Sequence, residues 1–305
     1  MTTYDAIRSN KTKSALLIII FLILIVLIGW AIQIIDGTSG YGIVALAAII
    51  SIVSALIGYF GGAKIALSMN GAHEISKEQD PYVYRMVENL CIATGMPMPK
   101  VYVIEDEAIN AFATGRDPQH AHIAVTTGAI RKLENEELEG VLAHELSHVQ
   151  NYDIRFMTLV VVLVGTIVLL SDMFLRTRWI MGGRRSSRSG SAGNILMLVG
   201  IILLILSPII AELIKLAISR KREYLADASG ALMTRYPQAL ASALRKIQSD
   251  DLPLQRKSRA TAHLFLASPF GAATRRGFSG SLFSTHPPIE ERIAALEKMA
   301  GERTQ

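Results

Sequence analysis

The sequence predicts an α+β membrane protein, mainly helical, with about four transmembrane or membrane-embedded helices and a small β-sheet. Three observations predict it. Four apolar runs punctuate the chain. Short segments rich in β-formers cluster between the second and third runs. Elsewhere apolar residues recur at three and four spacing, the period of a helix. The composition agrees: of 305 residues, 50% are hydrophobic, 7% aromatic and 19% charged.

Ser14 to Ile35 is 22 residues without a charge, and Gly40 to Ala63 is 24 more. Each can cross a hydrocarbon core of roughly 30 Å at about 1.5 Å per helical residue. The first run is longer than the apolar core of a secretory signal and lacks a small-residue cleavage site, so it reads as a retained signal anchor. Arg8, Lys11 and Lys13 precede it, while the link "DGTS" has no basic residue. That asymmetry predicts a cytoplasmic N-terminus, an external hairpin tip and a return at Lys64. The third run, Phe156 to Ser171, has 16 residues before Asp172; the fourth, Asn194 to Ala211, has 18 before Glu212. Between them lie Arg176, Arg178, Arg184, Arg185 and Arg188 in a Gly/Ser-rich loop. Spanning is the expectation for both, although it places that loop outside; a hairpin that does not cross is the alternative. Four regions follow: 1–63, an N-terminal hairpin; 64–155, a first soluble part; 156–218, the second apolar pair; and 219–305, a second soluble, helical part.

In the first soluble part, Asp80, Pro81 and Gly95 bound a helix as N-cap, first-turn proline and terminator. Residues 99–104 read as a strand, and 110–115 and 121–130 as two more or a strand and a turn. Residues 134–151 read as a helix with an acidic first turn. Cys91, the one cysteine, permits no intramolecular disulfide and reads as a small buried hydrophobe. The net charge of +5 sits largely beside apolar runs, where it meets lipid; no nucleic-acid motif accompanies it.

The helix at 134–151 carries His144-Glu145-Leu-Ser-His148. Residues four apart share a helix face, so both imidazoles can reach one tetrahedral Zn²⁺. Glu145 points to the side, within reach of a water but outside the coordination positions. Glu212, Glu223, His263 and His286 are the candidates for a third protein ligand. Spacing favours Glu223, in "SRKREYLADASG" just beyond the fourth run. Asp227, four residues on, shares its face and can hydrogen-bond a ligating histidine. His73 with Glu74 lacks a second histidine at the right spacing, and His120 and His122 read as surface residues flanking a strand.

The order of these features resembles the HtpX-type membrane zinc metalloproteases, relatives of the CAAX prenyl proteases. The resemblance rests on the hairpin, "NAFATG", "HELSH", the second apolar pair and "REYLAD", and it covers nearly the whole chain. It implies a zincin-like catalytic domain with one zinc held by His144, His148 and Glu223, and Glu145 as the catalytic residue. It implies a site facing the cytoplasm of the cell membrane, in a multi-pass protein serving membrane-protein quality control and the stress response. Other quality-control proteases are possible partners. It also brings His286, in "STHPPIEER", near the site as an oxyanion stabiliser, against its plain reading as a residue starting a turn or helix. Asn110 either holds substrate backbone or caps a strand end.

The expected reaction is peptide hydrolysis of unfolded or clipped membrane proteins, with Glu145 moving the proton from water to the leaving amine. The substrate is expected to lie extended, paired to an edge strand such as 121–127. The rival readings are a prenyl-protein protease, a zinc transporter and a non-hydrolytic zinc-binding membrane protein. A transporter places ionisable residues within its spans, and the first two runs have none. A purely structural zinc leaves Glu145 without a role.

Overall fold

The structure, a computed structural model, describes residues 3–36, 40–181, 219–250, 252–256, 258, 260–270 and 288–302. The fourth apolar run, most of the Arg-rich loop, Glu212 and His286 lie outside the described residues.

Helix α1 (Thr3–Asp36) and helix α2 (Gly42–Met69) form the expected hairpin. Among the described residues, these two helices are long and apolar enough to cross a membrane, with mean hydropathies of 3.3 and 2.5. Of the four expected membrane helices, the described residues show two. Leu16, Ile23 and Trp30 on α1, and Leu46, Ile49 and Phe60 on α2, point outward and exposed. Large apolar side chains over such a surface suit lipid rather than water. The third apolar run lies in α6 (Asp153–Met181), and its first turns are buried. Phe156, Leu159, Leu163 and Ile167 pack on Leu17, Phe21 and Ile25 of α1. Gly58 and Gly62 let α2 approach α6 closely: a Cβ at Gly62 would lie 2.8 Å from Thr158 Cγ2. Small residues four apart are a recurrent device for close helix packing in membranes.

The β-sheet follows α2. Strands β1 (Ala72–Glu74), β2 (Lys100–Ile104), β3 (Ala111–Gly115) and β4 (Ala121–Thr126) are arranged in the order β1-β2-β4-β3. β2 and β4 are parallel; the other two pairs are antiparallel. The sequence reading missed β1. It also offered 121–127 as an edge for substrate. Instead, β4 is an inner strand whose two edges are taken by β2 and β3, so the outer strands are β1 and β3. Residues 127–130 turn into α4 (Thr127–Lys132), whose N-cap Thr126 accepts from the Ala129 amide.

Helix α3 (Pro81–Thr94) begins and ends as its cap residues predict: the Asp80 side chain accepts from the Val83 amide, and Gly95 is left-handed at φ 67°. Helix α5 (Asn135–Gln150) begins where Glu137 reaches back to the Glu134 amide at 2.8 Å. α3 and α5 cover the sheet face formed by Val101, Val103, Ile123 and Val125. Leu240 and Leu244 of α8 (Pro237–Ser249) and Leu296 of α9 (Ile289–Glu302) complete this core, so the two soluble parts fold as one body. The opposite face, with Tyr102, Phe112 and Ala124, meets the end of α2, Met157 and Val161 of α6, and Leu254, Leu264 and Phe265. Helix α7 (Arg220–Thr234) lies against α5.

Candidate metal centre

His144 and His148 lie one turn apart on α5, both buried, with their Nε2 atoms 3.2 Å apart. Glu223, in the first turn of α7, brings Oε1 to 3.6 Å from His148 Nε2 and Oε2 to 3.9 Å from His144 Nε2. The three side chains each offer a ligand atom within 4.8 Å of the others. Gly230 makes this approach possible, because a Cβ there would lie 2.9 Å from the His144 amide nitrogen.

The far side of each imidazole is anchored. His144 Nδ1 lies 2.9 Å from Asp227 Oδ1, and His148 Nδ1 lies 3.0 Å from Asp153 Oδ2. Each Nδ1–H donating to its carboxylate leaves the Nε2 lone pairs aimed at one point, with the Glu223 carboxylate closing it. Three converging electron-pair donors in a buried place need a cation between them. In a tetrahedron with bonds of about 2.0–2.1 Å, donors sit roughly 3.3 Å apart, close to the separations found. The residues present therefore fit a metal ion.

Asp153 owes its place to a sharp joint. α5 ends at Gln150 with Asn151 as its C-cap, Tyr152 takes a left-handed φ of 60°, and α6 begins at Asp153. Left-handed backbone is uncommon for a bulky residue. Lys11 lies 4.2 Å from the Tyr152 ring centroid. Asn10 on α1 donates to Asp153 Oδ1 at 2.6 Å and to the Asn151 carbonyl at 2.9 Å. The hairpin helix is thus tied to the carboxylate that orients His148.

Arg292 on α9 is wholly buried and forks onto Asp227, with Nε to Oδ2 at 2.7 Å and Nη2 to Oδ1 at 2.6 Å. Its Nη1 lies 3.5 Å from Glu223 Oε2 and has no hydrogen-bond partner. Burial pushes the His144 pKa down, against the pull of Asp227. Burial also opposes charge on His148, but Asp153 and the charges of Glu223 and Glu145 outweigh it and raise the pKa to about 9.

Glu145 is buried beside the pair. Burial pushes its carboxyl up to about 7, with His148 and a backbone hydrogen bond from Ala113 opposing and Glu223 adding to the rise. Ala113 is the middle residue of β3. On either side of it, the Ala111 carbonyl accepts from the Leu266 amide, and the Gly115 amide donates to Thr158 Oγ1 at 3.1 Å.

The structure brings His144, His148, Glu223, Glu145 and Asp227 together. It does not bring Asn110 to the metal donors. Asn110 Nδ2 donates to the Ala267 carbonyl at 2.9 Å, and its Oδ1 accepts from the Ala267 amide at 3.2 Å, clamping the start of β3 to the chain at 267. His263 Nε2 lies 3.0 Å from the Met157 carbonyl, away from the centre. Sequence reasoning missed Asp153 and Arg292. Arg292 carried a signal: it sits within the apolar spacing Ile289, Ile293, Leu296, where an arginine must find a buried partner. Asp153 read only as the acidic start of a helix.

Helix-borne imidazoles oriented by carboxylates, with a buried glutamate beside them, define a metal-dependent hydrolase. Comparison with known proteins narrows this. The model of peptidase family M48 matches residues 77–300, and the chain belongs to that family, as a metalloprotease. It is 45% identical over 309 residues to a protease HtpX homolog of Tropheryma whipplei (strain TW08/27), covering 98% of this chain and 99% of that one. It is 44% identical over 300 residues to a protease HtpX homolog of Caldanaerobacter subterraneus subsp. tengcongensis, covering 98% of each. Among solved structures it is similar to Ste24p of S. mikatae, with a TM-score of 0.48 and 22% identity over 80% of this chain and 56% of that one.

Proposed function

We propose that the protein is a zinc endopeptidase of the cell membrane that cuts misfolded or damaged membrane proteins on the cytoplasmic side, where the chain leaves the lipid. One observation carries this reading. Asp153, which orients His148, is also the first residue of α6 and the partner of Asn10 on α1. The metal centre is therefore built onto the end of the apolar helix bundle. The N-terminal end of α1 and the C-terminal end of α2 both meet this same end of α6. Two crossings that begin and finish beside the soluble part agree with a single cytoplasmic face.

One zinc per chain would be held by His144, His148 and Glu223, supplying Lewis acidity toward the scissile carbonyl and the attacking water. The side chains do the rest. Asp227 and Asp153 fix the two imidazoles. Glu145, with its carboxyl near neutrality, takes a proton from water and passes it to the leaving amine. Arg292 holds Asp227 and lends positive charge beside Glu223 as negative charge develops. Substrate lies extended along β3, whose Ala113 amide already donates to Glu145; this replaces the strand at 121–127. Hydrolysis under stress would serve membrane-protein quality control, alongside other quality-control proteases.

The test uses the whole chain reconstituted in lipid, with a membrane protein carrying an unfolded cytoplasmic loop and the same loop on a folded soluble carrier. Preferential cutting of the membrane-borne loop, absent in Glu145→Gln, is the expected result. Equal cutting of the soluble form refutes the membrane role, and no cutting of either by zinc-loaded protein refutes the endopeptidase reading.

A further inference from the structure

On the sheet face away from α5, the last turns of α2 and the β3–β4 turn enclose a cavity of about 450 Å³. Tyr59, Phe60, Lys64, Lys100, Arg116 and His122 line it. Nothing in the hydrolytic reading uses this place.

Its depth relative to the apolar helices is informative. Lys64 is the one charged residue of α2. Phe60, one turn earlier, is 63% exposed on the outward face. The cavity therefore straddles the boundary at which a spanning helix passes from hydrocarbon into headgroups, where aromatic rings and lysines collect.

Its charge is positive. Lys64, Lys100 and Arg116 contribute three cations. Two carboxylates offset two of these cations, Glu74, which also lines the cavity, and Asp117 beside it, so the excess is one positive charge. Glu74 accepts from Tyr102 Oη at 3.0 Å and pairs with Lys100 at 2.8 Å. Asp117 meets His120 Nδ1 at 2.7 Å and Arg116 Nε at 3.5 Å. The Arg116 guanidinium also lies 5.2 Å from the Phe60 ring centroid, joining a cation to the aromatic wall. Lys64 has no ion-pair partner among the described residues. His122 has a buried Nδ1 with no hydrogen-bond partner. Burial, with Lys100 adding, pushes its pKa down to about 4, so it stays neutral and offers one N–H.

A cavity of this size exceeds what a bare phosphate needs and falls in the range of small-molecule sites, about 300–1,000 Å³. Aromatic walls on the bilayer side and cations on the sheet side match a group that is apolar at one end and anionic at the other. We propose that this cavity binds the phosphate of an anionic membrane phospholipid, with Lys64 as its main contact and Arg116, Lys100 and His122 around it. The proposal rests on the reading of α1 and α2 as membrane-spanning. A lipid seated here would brace α2 against the sheet that carries β3.

The test is native mass spectrometry of the whole chain in a neutral detergent, titrated separately with phosphatidylglycerol, phosphatidylcholine, glycerol phosphate and inorganic phosphate. One phosphatidylglycerol per chain should be retained in preference to the other three. Lys64→Gln should weaken retention about fivefold, the effect of one basic residue near an anionic lipid surface, and Lys64→Glu roughly thirtyfold. Lys11→Gln, at the same end of the bundle but outside the cavity, should leave retention unchanged. Equal retention by wild type and Lys64→Glu overturns the site, as does an equal loss in Lys11→Gln. Equal retention of inorganic phosphate overturns the lipid assignment. Alkaline extraction of native membranes separates the two levels. A chain that stays in the membrane yet retains no lipid refutes this cavity alone, whereas a chain that is extracted refutes the membrane reading beneath it.

Discussion

Replacing Arg292 by methionine should weaken both the fold and the metal site. Arg292 and Asp227 are almost wholly buried, and the guanidinium forks onto the carboxylate at 2.7 and 2.6 Å. Removing one member of a buried pair costs about 3–5 kcal/mol, because the survivor keeps its charge without compensation. Here His144 Nδ1 remains 2.9 Å from Asp227, so the lower end, about 3 kcal/mol, is expected. Burial acts to raise the Asp227 pKa and Arg292 is the main influence lowering it. Without the arginine, Asp227 takes up a proton more readily and becomes a poorer acceptor for His144. Zinc affinity should fall about 10–100-fold, as when an outer partner of a ligating histidine is lost. Asp227→Asn breaks the same pair from the other side. The double variant should therefore cost less than the two single costs added, by about 1–3 kcal/mol. Denaturant unfolding of all four proteins in one detergent, with zinc content measured in parallel, checks this. Additivity within about 0.5 kcal/mol would show that the two residues do not act as a pair and that the buried fork is not what holds His144.

Asp153→Asn should lower zinc affinity about 10–100-fold, since it weakens the acceptor for His148 Nδ1; competition with a chromophoric chelator measures it, and unchanged affinity removes Asp153 from the centre. Gly62→Val forces a side chain into Thr158, whereas nothing lies within 4 Å of a Cβ at Gly61. The first substitution should cost about 1–3 kcal/mol of thermal stability and Gly61→Val little, so equal losses would refute the close α2–α6 packing. Burial acts to raise the Glu137 pKa, but Lys246 and Ser242 outweigh it and hold the carboxyl below its usual 4.5. A carboxyl with a depressed folded pKa contributes stability above its unfolded pKa and loses it as pH falls through the folded one. Wild type should accordingly lose more stability than Glu137→Gln on acidification below 4.5, and parallel curves for the two would show that the Glu137–Lys246 link contributes nothing.

Much of this architecture was legible in local chemistry. Asp80, Pro81 and Gly95 mark the ends of α3 through caps that depend only on neighbouring backbone. His144 and His148 announce themselves because a helix makes four-apart residues share a face. Glu223 was readable once a second helix was expected beyond the apolar runs. The pairing of strands was not, because it depends on contacts between distant segments. The three-residue β1 has no pattern of its own, and β4 looks like an edge strand until β2 and β3 are both in place. Asp153 and Arg292 were missed for a related reason. Their roles come from what they face across the fold, and only Arg292 broke a local rule by standing in an apolar stripe. Asn110 shows the converse: its motif suggested substrate, while its amide spans to Ala267, a contact no local reading supplies.

The central claim is that Glu145 moves the proton in a hydrolysis whose metal it does not bind. Glu145→Gln tests this most directly, because it keeps the shape and the three donors while removing the base. Zinc content and cleavage of one membrane-borne substrate are measured on the same preparation. The account predicts one zinc per chain, as in wild type, with cleavage reduced at least about 10²-fold. Full zinc content with cleavage at the wild-type rate would contradict it.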